Sequence, residues 1–304
     1  MNILVTGISG YVGSRLAPRL LQAGHDVRGL SRRPAPARGD VTVIEGDVIS
    51  GAGLEAALDG VDVAYYLIHS MEPSTDGAFN VRERRAAQNF ARAAQTAGVG
   101  RIVYLGGLIP AHGPASAHLA SRLAVEEILL GSGPCAVALR ASIVIGAGSR
   151  SFRFLVKLVE RLPVLAVPAW HTNRTNPIDE RDVIEMLARA ADADGVCATS
   201  LDVGGPDVVT YGELIDRIRE HMLVARPTLN FKRLRLTPIA SRISALIAGE
   251  QYELIGPLME SLEGDLLVAD NRATELLGVR LHSLDAAIEH ALREWEASEP
   301  LAAR

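Results

Sequence analysis

Asn2-Ile-Leu-Val-Thr6-Gly7-Ile-Ser-Gly10-Tyr-Val-Gly13 is the stretch that decides the fold. A short run rich in strand formers leads straight into three glycines spaced three apart. Ser14 to Ala23 then reads as a helix with Leu16, Leu20 and Leu21 on one face. Gly24 is a stop signal for it. Strand, glycine turn and amphipathic helix in direct succession open a right-handed β-α-β unit.

The alternation continues outward from there. Strands are expected at His25–Leu30, Val41–Ile44, Val61–Ile68, Arg101–Leu105 and Cys135–Leu139. Helices are expected at Leu54–Leu58, Phe79–Ala97 and His118–Leu130. The prolines of Arg32-Arg33-Pro34-Ala-Pro36 force a loop. Nearly all-apolar strands fit a sheet covered by helices on both sides. The fold class is therefore α/β, a doubly wound parallel sheet of Rossmann type. Beyond about Ala147 the alternation becomes irregular, and prolines gather at Pro163, Pro168 and Pro177. Thr199–Val203 reads as a strand returning to the sheet, and Thr228–Leu234 as a strand among helices. The reading is two domains built from discontinuous segments. Residues 1–146 and 181–204 form the dinucleotide-binding domain, and residues 147–180 and 205–304 a smaller substrate or lid domain. The lid includes the apolar stretch Ile239–Ile247.

Composition narrows the function. With 31 Lys+Arg against 36 Asp+Glu, the net charge is −5, which argues against a nucleic-acid partner. No apolar run reaches membrane-helix length, and no basic segment precedes the first apolar run, so a cytoplasmic protein without a membrane partner is expected. Cys135 and Cys197 are too few for a disulfide framework and are expected to be buried small hydrophobes. The eight histidines are scattered, so no metal site is expected. No Gly-x-Ser-x-Gly elbow supports a serine hydrolase. The charges Arg82, Glu83, Arg84, Arg85 and Arg92 are expected on a solvated or dimer-facing helix surface.

The glycines lie in the context a dinucleotide fingerprint requires. Gly7 makes the tight turn, Gly10 lets a pyrophosphate approach, and Gly13 lets helix and strand pack closely. Ser9, Tyr11 and Val12 belong to the same cradle, with the helix N-terminus offering N–H groups. Leu30-Ser31-Arg32-Arg33 has no carboxylate where an NAD binder holds the ribose 2′-OH. Arg32 and Arg33 suit a 2′-phosphate, so the expected cofactor is NADP(H). A solvated basic loop is the alternative for Arg33 and Arg38. Asp47 either accepts from the adenine amino group or caps its loop. Val48, Leu67, Ile68, His69, Gly106 and Arg122 complete the expected cofactor-binding set.

These residues resemble the short-chain dehydrogenase/reductase superfamily, in its extended and atypical branches. Thr6-Gly7-x-x-Gly10-x-x-Gly13 and Gly46-Asp47 carry the resemblance, which is nearest to NmrA-like and nucleoside-diphosphate-sugar-epimerase-like NAD(P)-binding proteins. Further matches are Tyr65–Met71, Arg101–Leu108, Leu139–Gly146, Asn176–Val183 and Asp202–Pro206. The resemblance implies a Tyr-x-x-x-Lys pair, with Tyr as general acid/base, and a Ser or Thr ending the fifth strand. This chain departs from all three. The strand end reads Gly106-Gly107, and the helix reads His118-Leu-Ala-Ser-Arg122. Arg122 can supply charge but not a proton near neutral pH.

The candidate catalytic residues are His69, after the fourth strand beside Ser70, and His118. Each has a bland alternative: a capping histidine at 69 and an exposed residue near a helix start at 118. Trp170, His171, Asn173 and Arg174 either line the substrate pocket or form a surface loop. Arg140 and Arg150 receive no role. The leading function is NADPH-dependent reduction of a carbonyl or conjugated double bond in a small organic substrate. The alternative is a non-catalytic NADP(H)-binding redox sensor or accessory subunit. Sugar-nucleotide epimerase or dehydratase chemistry ranks third because it depends on the missing Tyr. The resemblance also implies a homodimer through the helices near Asn80 and Ser121.

Overall fold

The computed structural model describes residues 1–33, 40–68, 79–110, 113, 116–161, 165–167, 169–224, 228–230 and 264–299. His69 and Ser70, Arg38, the apolar stretch Ile239–Ile247 and the end of the 228–234 strand lie outside the described residues.

The first half alternates as its sequence dictates. β1 (Asn2–Thr6) is followed by α1 (Tyr11–Gln22), β2 (Asp26–Ser31), β3 (Thr42–Glu45), α2 (Leu54–Leu58) and β4 (Val63–Tyr66). Then come α3 (Phe79–Thr96), β5 (Arg101–Gly107), α4 (Ala117–Leu130) and β6 (Cys135–Ala141). The second half begins with β7 (Val144–Ile145), α5 (Arg150–Arg161), β8 (Leu165–Val167), a short 3₁₀ turn (Ala169–Thr172), β9 (Arg174–Thr175) and β10 (Ile178–Asp179). α6 (Glu180–Arg189), β11 (Thr199–Val203), β12 (Val209–Thr210), α7 (Tyr211–His221), β13 (Thr228–Asn230), α8 (Arg272–Leu277) and α9 (Leu284–Ser298) complete it.

Seven strands form the central sheet in the order β11-β6-β5-β4-β1-β2-β3, every neighbouring pair parallel. The expected return of Thr199–Val203 is present, with Leu201 opposite Leu139. Strand periodicity explains the two-sided core. Ile3 and Val5 pack to one face with Leu16 and Leu20, and Leu4 packs to the other with Leu54, Leu58 and Phe90. β4 and β5 repeat the pattern, Tyr65 and Val103 on one face, Tyr66 and Tyr104 on the other.

A third core joins Phe152, Leu155 and Val159 of α5 to Trp170, Leu214 and Ile218 of α7, and Ile288, Leu292 and Trp295 of α9. Ala273 and Leu277 of α8, with Val279, pack instead into the α1 side of the sheet core. Trp170 is buried in that third core, edge-on to Tyr211, and is not part of a surface loop. Two further expectations are corrected. Arg82 and Glu83 are not solvated. Glu83 is buried and accepts from the Ser121 hydroxyl at 2.6 Å, whereas Arg84, Arg85 and Arg92 are exposed. Cys135 and Cys197 are not buried thiols. Their Cα atoms lie 5.0 Å apart and they form a disulfide, Cys135 half-buried and Cys197 exposed. Pairing of β6 with β11 brings their leading ends together across a separation of 62 residues, which no local pattern reveals.

Candidate functional site

The turn after β1 is shaped by glycine. Gly7 has φ +68°, a left-handed conformation that side chains resist. Its N–H neighbour Gly10 donates to the Gly7 carbonyl at 2.8 Å. A Cβ on Gly7 would stand 3.0 Å from the Leu67 carbonyl oxygen, and one on Gly13 would collide with the Gly7 carbonyl. The Thr6 hydroxyl donates to the Tyr65 carbonyl at 2.9 Å and accepts from Leu67 N–H at 3.1 Å, tying the end of β1 to that of β4. The turn is thus close-packed, with no room for a side chain at Gly7 or Gly13.

α1 begins at Tyr11, three residues before the expected Ser14, so the helix starts inside the motif. Gly10 is its N-cap and offers no side-chain acceptor, and no acidic residue stands in the first turn. Four other helices are capped by side chains. Ser116 accepts from Leu119 N–H, Asp179 from Arg181 N–H, Ser283 from Ala286 N–H, and Thr210 with Glu213 forms a capping box. The first-turn N–H groups of α1 have no such side-chain acceptor, nor do those of α2 and α8, and of these only α1 also has the three-glycine turn leading into it. That is the arrangement a phosphate needs.

On the β2 side of the cradle, Arg32 and Arg33 are exposed just past the strand end, and Arg33 N–H donates to the Ser31 hydroxyl at 3.3 Å. Asp47 Oδ1 accepts from Ile49 N–H at 3.0 Å, so this carboxylate caps its loop. Val48 is buried, and Leu67 and Ile68 are half-buried. The sequence reading missed Asn89 and Arg82. The Asn89 amide donates to the Val48 and Ile49 carbonyls at 3.1 and 2.9 Å and fixes that loop. Arg82 borders a small cavity with Val48, Ile68 and Tyr104, and its Nε and Nη2 are buried without a hydrogen-bond acceptor. A basic residue on a charged helix face gave no signal of this.

At the ends of β5 and β6 the groups are different. Gly106 is buried and Gly107 half-buried. Arg122 Nη2 donates to the Leu105 carbonyl at 2.9 Å, while its Nε is buried without an acceptor. His118 is half-buried rather than exposed. Burial and the neighbouring Arg122 charge lower its pKa to about 4, so the imidazole is neutral at pH 7. Tyr104 donates to the Arg122 carbonyl at 3.3 Å, and burial raises its pKa to about 12, so it is a poor proton donor. Arg140 does not reach this group as a free cation. It forks onto Glu126, which also accepts from Ser200.

Tyr11 forms a further cluster beside the cradle. Its hydroxyl donates to Glu180, Arg15 stacks on its ring at 4.4 Å, and the ring packs against Gly148, where a Cβ would stand 2.5 Å from Tyr11 Cδ2. Burial and the Glu294 carboxyl raise the Glu180 pKa to about 8. Ligand atoms of Glu180, His290 and Glu294, one from each, lie within 4.8 Å of one another, a grouping that the scatter of histidines along the chain did not suggest. The signal was present as His290 and Glu294 at i,i+4, but Glu180 lies over a hundred residues away.

Comparison with known proteins fits this geometry. Residues 3–204 match the model of the NAD dependent epimerase/dehydratase family. A 3-beta-hydroxysteroid dehydrogenase of Mycolicibacterium neoaurum is 35% identical over 114 residues, 34% of this chain and 31% of that protein. A ceramide reductase of Caulobacter vibrioides is 27% identical over 231 residues, 75% of this chain and 72% of that protein. Among solved structures, MoeE5 in complex with UDP-glucose and NAD superposes with a TM-score of 0.73 at 21% identity, covering 98% of this chain and 99% of that one. The chain spans about a third or less of the length of the first curated relatives it matches. No described helix is long and apolar enough to cross a membrane.

Proposed function

The chain belongs to the NAD dependent epimerase/dehydratase family, and we propose that within it the protein works as an NADP(H)-dependent reductase of a carbonyl or conjugated double bond in a small organic substrate. The carrying observation is the glycine cradle against the uncapped start of α1. The residues present fit a dinucleotide: Cβ atoms would fill the space at Gly7 and Gly13, and the first-turn N–H groups of α1 can donate to its pyrophosphate. Arg32 and Arg33 support the phosphorylated form of the cofactor, since each can fork onto a 2′-phosphate. A bound nicotinamide would supply the hydride.

The protein's own contribution lies in orientation and charge. Arg122, held by the Leu105 carbonyl, directs positive charge to the end of β5 without trading a proton. His118 is neutral and so offers one ring N–H as a hydrogen-bond donor to a substrate oxygen. The proton is assigned to His69, which follows β4 in the sequence, since neutral His118 orients the substrate oxygen without protonating it. The similarity to a ceramide reductase over most of both chains supports reduction ahead of epimerisation. One feature favours a second reading, a non-catalytic NADP(H)-binding sensor or accessory subunit: Gly106, Gly107, His118 and Arg122 stand where the resemblance expects Ser, Tyr and Lys.

Calorimetric titration with NADPH, NADP⁺, NADH and NAD⁺ tests the cofactor, followed by NADPH consumption over a carbonyl and enone panel. Tight NADPH binding with turnover supports the reductase. Tight binding without turnover favours the sensor, and no binding of any of the four sinks both.

A further inference from the structure

The cluster beside the cradle divides its oxygens between two sides. The Tyr11 hydroxyl donates to Glu180 Oε2, and Arg15 Nε lies 3.2 Å from the same atom. Arg15 Nη2 reaches Glu294 Oε1 at 2.5 Å. On the other side, Glu180 Oε1 faces His290 Nε2 at 3.8 Å. His290 and Glu294 are four residues apart on α9, so they project from one helix face. One ligand atom from each of Glu180, His290 and Glu294 lies within 4.8 Å of the other two. Two carboxylates thus meet with a single guanidinium between them, and Glu180 is only 5% exposed. Two carboxyls this close are relieved by a proton shared between them or by a cation in its place, and Glu294 and His290 are exposed enough, at 40% and 33%, for a cation to enter.

We propose that Glu180, His290 and Glu294 form a binding site for one divalent transition-metal cation, best suited to zinc. Two carboxylate oxygens and an imidazole nitrogen are a ligand set that zinc accepts, with water as the fourth ligand. Ligands about 2.0–2.1 Å from a tetrahedral zinc stand roughly 3.4 Å apart. The observed separations therefore need only small side-chain movements to close on the ion. Magnesium is disfavoured, because it prefers six oxygens in near-ideal octahedral array. Tyr11 and Arg15 hold Glu180 Oε2, and Arg15 holds Glu294 Oε1, in the way that second-layer hydrogen bonds orient ligands. The cation would clamp α9 to the first residue of α6 and, through Tyr11, to the start of α1. Its role is to fix the cradle, not to touch a reacting bond. The inference does not depend on which dinucleotide binds, or on whether one does.

The test uses the full, untagged chain, stripped with chelator and titrated with zinc and with magnesium by calorimetry, alongside thermal melting. Expected are one zinc per chain, a zinc-dependent rise in melting temperature, and no magnesium binding at the same concentrations. His290→Ala should weaken zinc binding at least about tenfold and abolish the rise. Glu294→Gln, which keeps shape and hydrogen bonding, should do the same if the first variant folds poorly. Failure of the wild-type chain to bind zinc, or equal zinc affinity in both variants, would overturn the proposal.

Discussion

The glycines at the end of β1 and those at the end of β5 look alike in the sequence but do different physical work. Around Gly7 and Gly13 every neighbour of a hypothetical Cβ is backbone. Backbone cannot move aside without dismantling the sheet, so these positions are closed to any side chain. Around Gly107 the nearest atoms are Arg122 Nε at 3.4 Å, Leu119 Cδ2 at 3.5 Å and Arg122 Cδ at 3.7 Å, all side-chain atoms at ordinary contact distance. One pair of glycines is imposed by geometry. At the end of β5, where the family resemblance expects a hydroxyl, packing does not enforce Gly107, whereas a Cβ on Gly106 would stand 3.1 Å from the buried Tyr104 ring. The turn after β1 is thus closed to side chains by its backbone, while the end of β5 leaves room for one at Gly107.

The largest effect should come from Gly13→Val. The new side chain must displace the Gly7 carbonyl, so dinucleotide binding should fall by at least about 100-fold and stability by about 3 kcal/mol or more. Calorimetric titration and urea unfolding of the same variant check both. Retained binding would break the comparison at its firmer end.

Next in size is a pH effect at the reacting end. The His118 pKa is lowered to about 4 in the folded protein, from 6.5 in the unfolded chain. Between those values the unfolded state binds more protons, so stability rises with pH across that window and is lost as pH falls through it. The full difference corresponds to about 3 kcal/mol. Urea unfolding of wild type and His118→Asn at pH 7 and at pH 4.5 isolates it, because the variant should lose less stability on acidification. Arg122→Met should move the His118 pKa upward by NMR titration, since the Arg122 charge is the second cause of the shift. An unmoved His118 would mean that burial alone holds it neutral.

A smaller effect is expected at the cofactor's phosphate end. Arg32→Ser with Arg33→Ser should weaken NADPH by about 10- to 30-fold, the range of one or two charge-assisted hydrogen bonds, and leave NADH unchanged. Loss of both affinities together would place the arginines in the general fold of the loop.

How much of this was legible beforehand follows the same division. Local patterns wrote the sheet: the period-2 split of Ile3 and Val5 from Leu4, the Gly7–Gly13 turn, and the strand at Thr199–Val203 all lie within a few residues of their own signals. The start of α1 was misplaced because Gly10 caps through backbone alone, leaving no Ser, Asp or Thr to mark it. The site read less well where its parts are distant in the chain. Glu180 meets His290 and Glu294 only because α6 and α9 converge near the cradle, and Cys135 meets Cys197 only because β6 pairs with β11. Arg82 and Glu83 looked like a solvated charge run, since burial of a polar helix face depends on the neighbouring helix that supplies Ser121.

The finest test of the comparison is Gly107→Ser, which returns a hydroxyl to the end of β5. Its Cβ meets side chains that can shift by a few tenths of an ångström, so stability should change by no more than about 0.5 kcal/mol, as at an ordinary tolerant position. If the reductase reading holds, the added hydroxyl stands beside Arg122 and offers a second hydrogen bond to a substrate oxygen. Turnover with NADPH should then rise or hold steady while cofactor affinity stays fixed. A collapse in stability would show that the β5 glycine is as tightly enforced as Gly13, and the divergence of the reacting end would then need a steric cause rather than freedom from one.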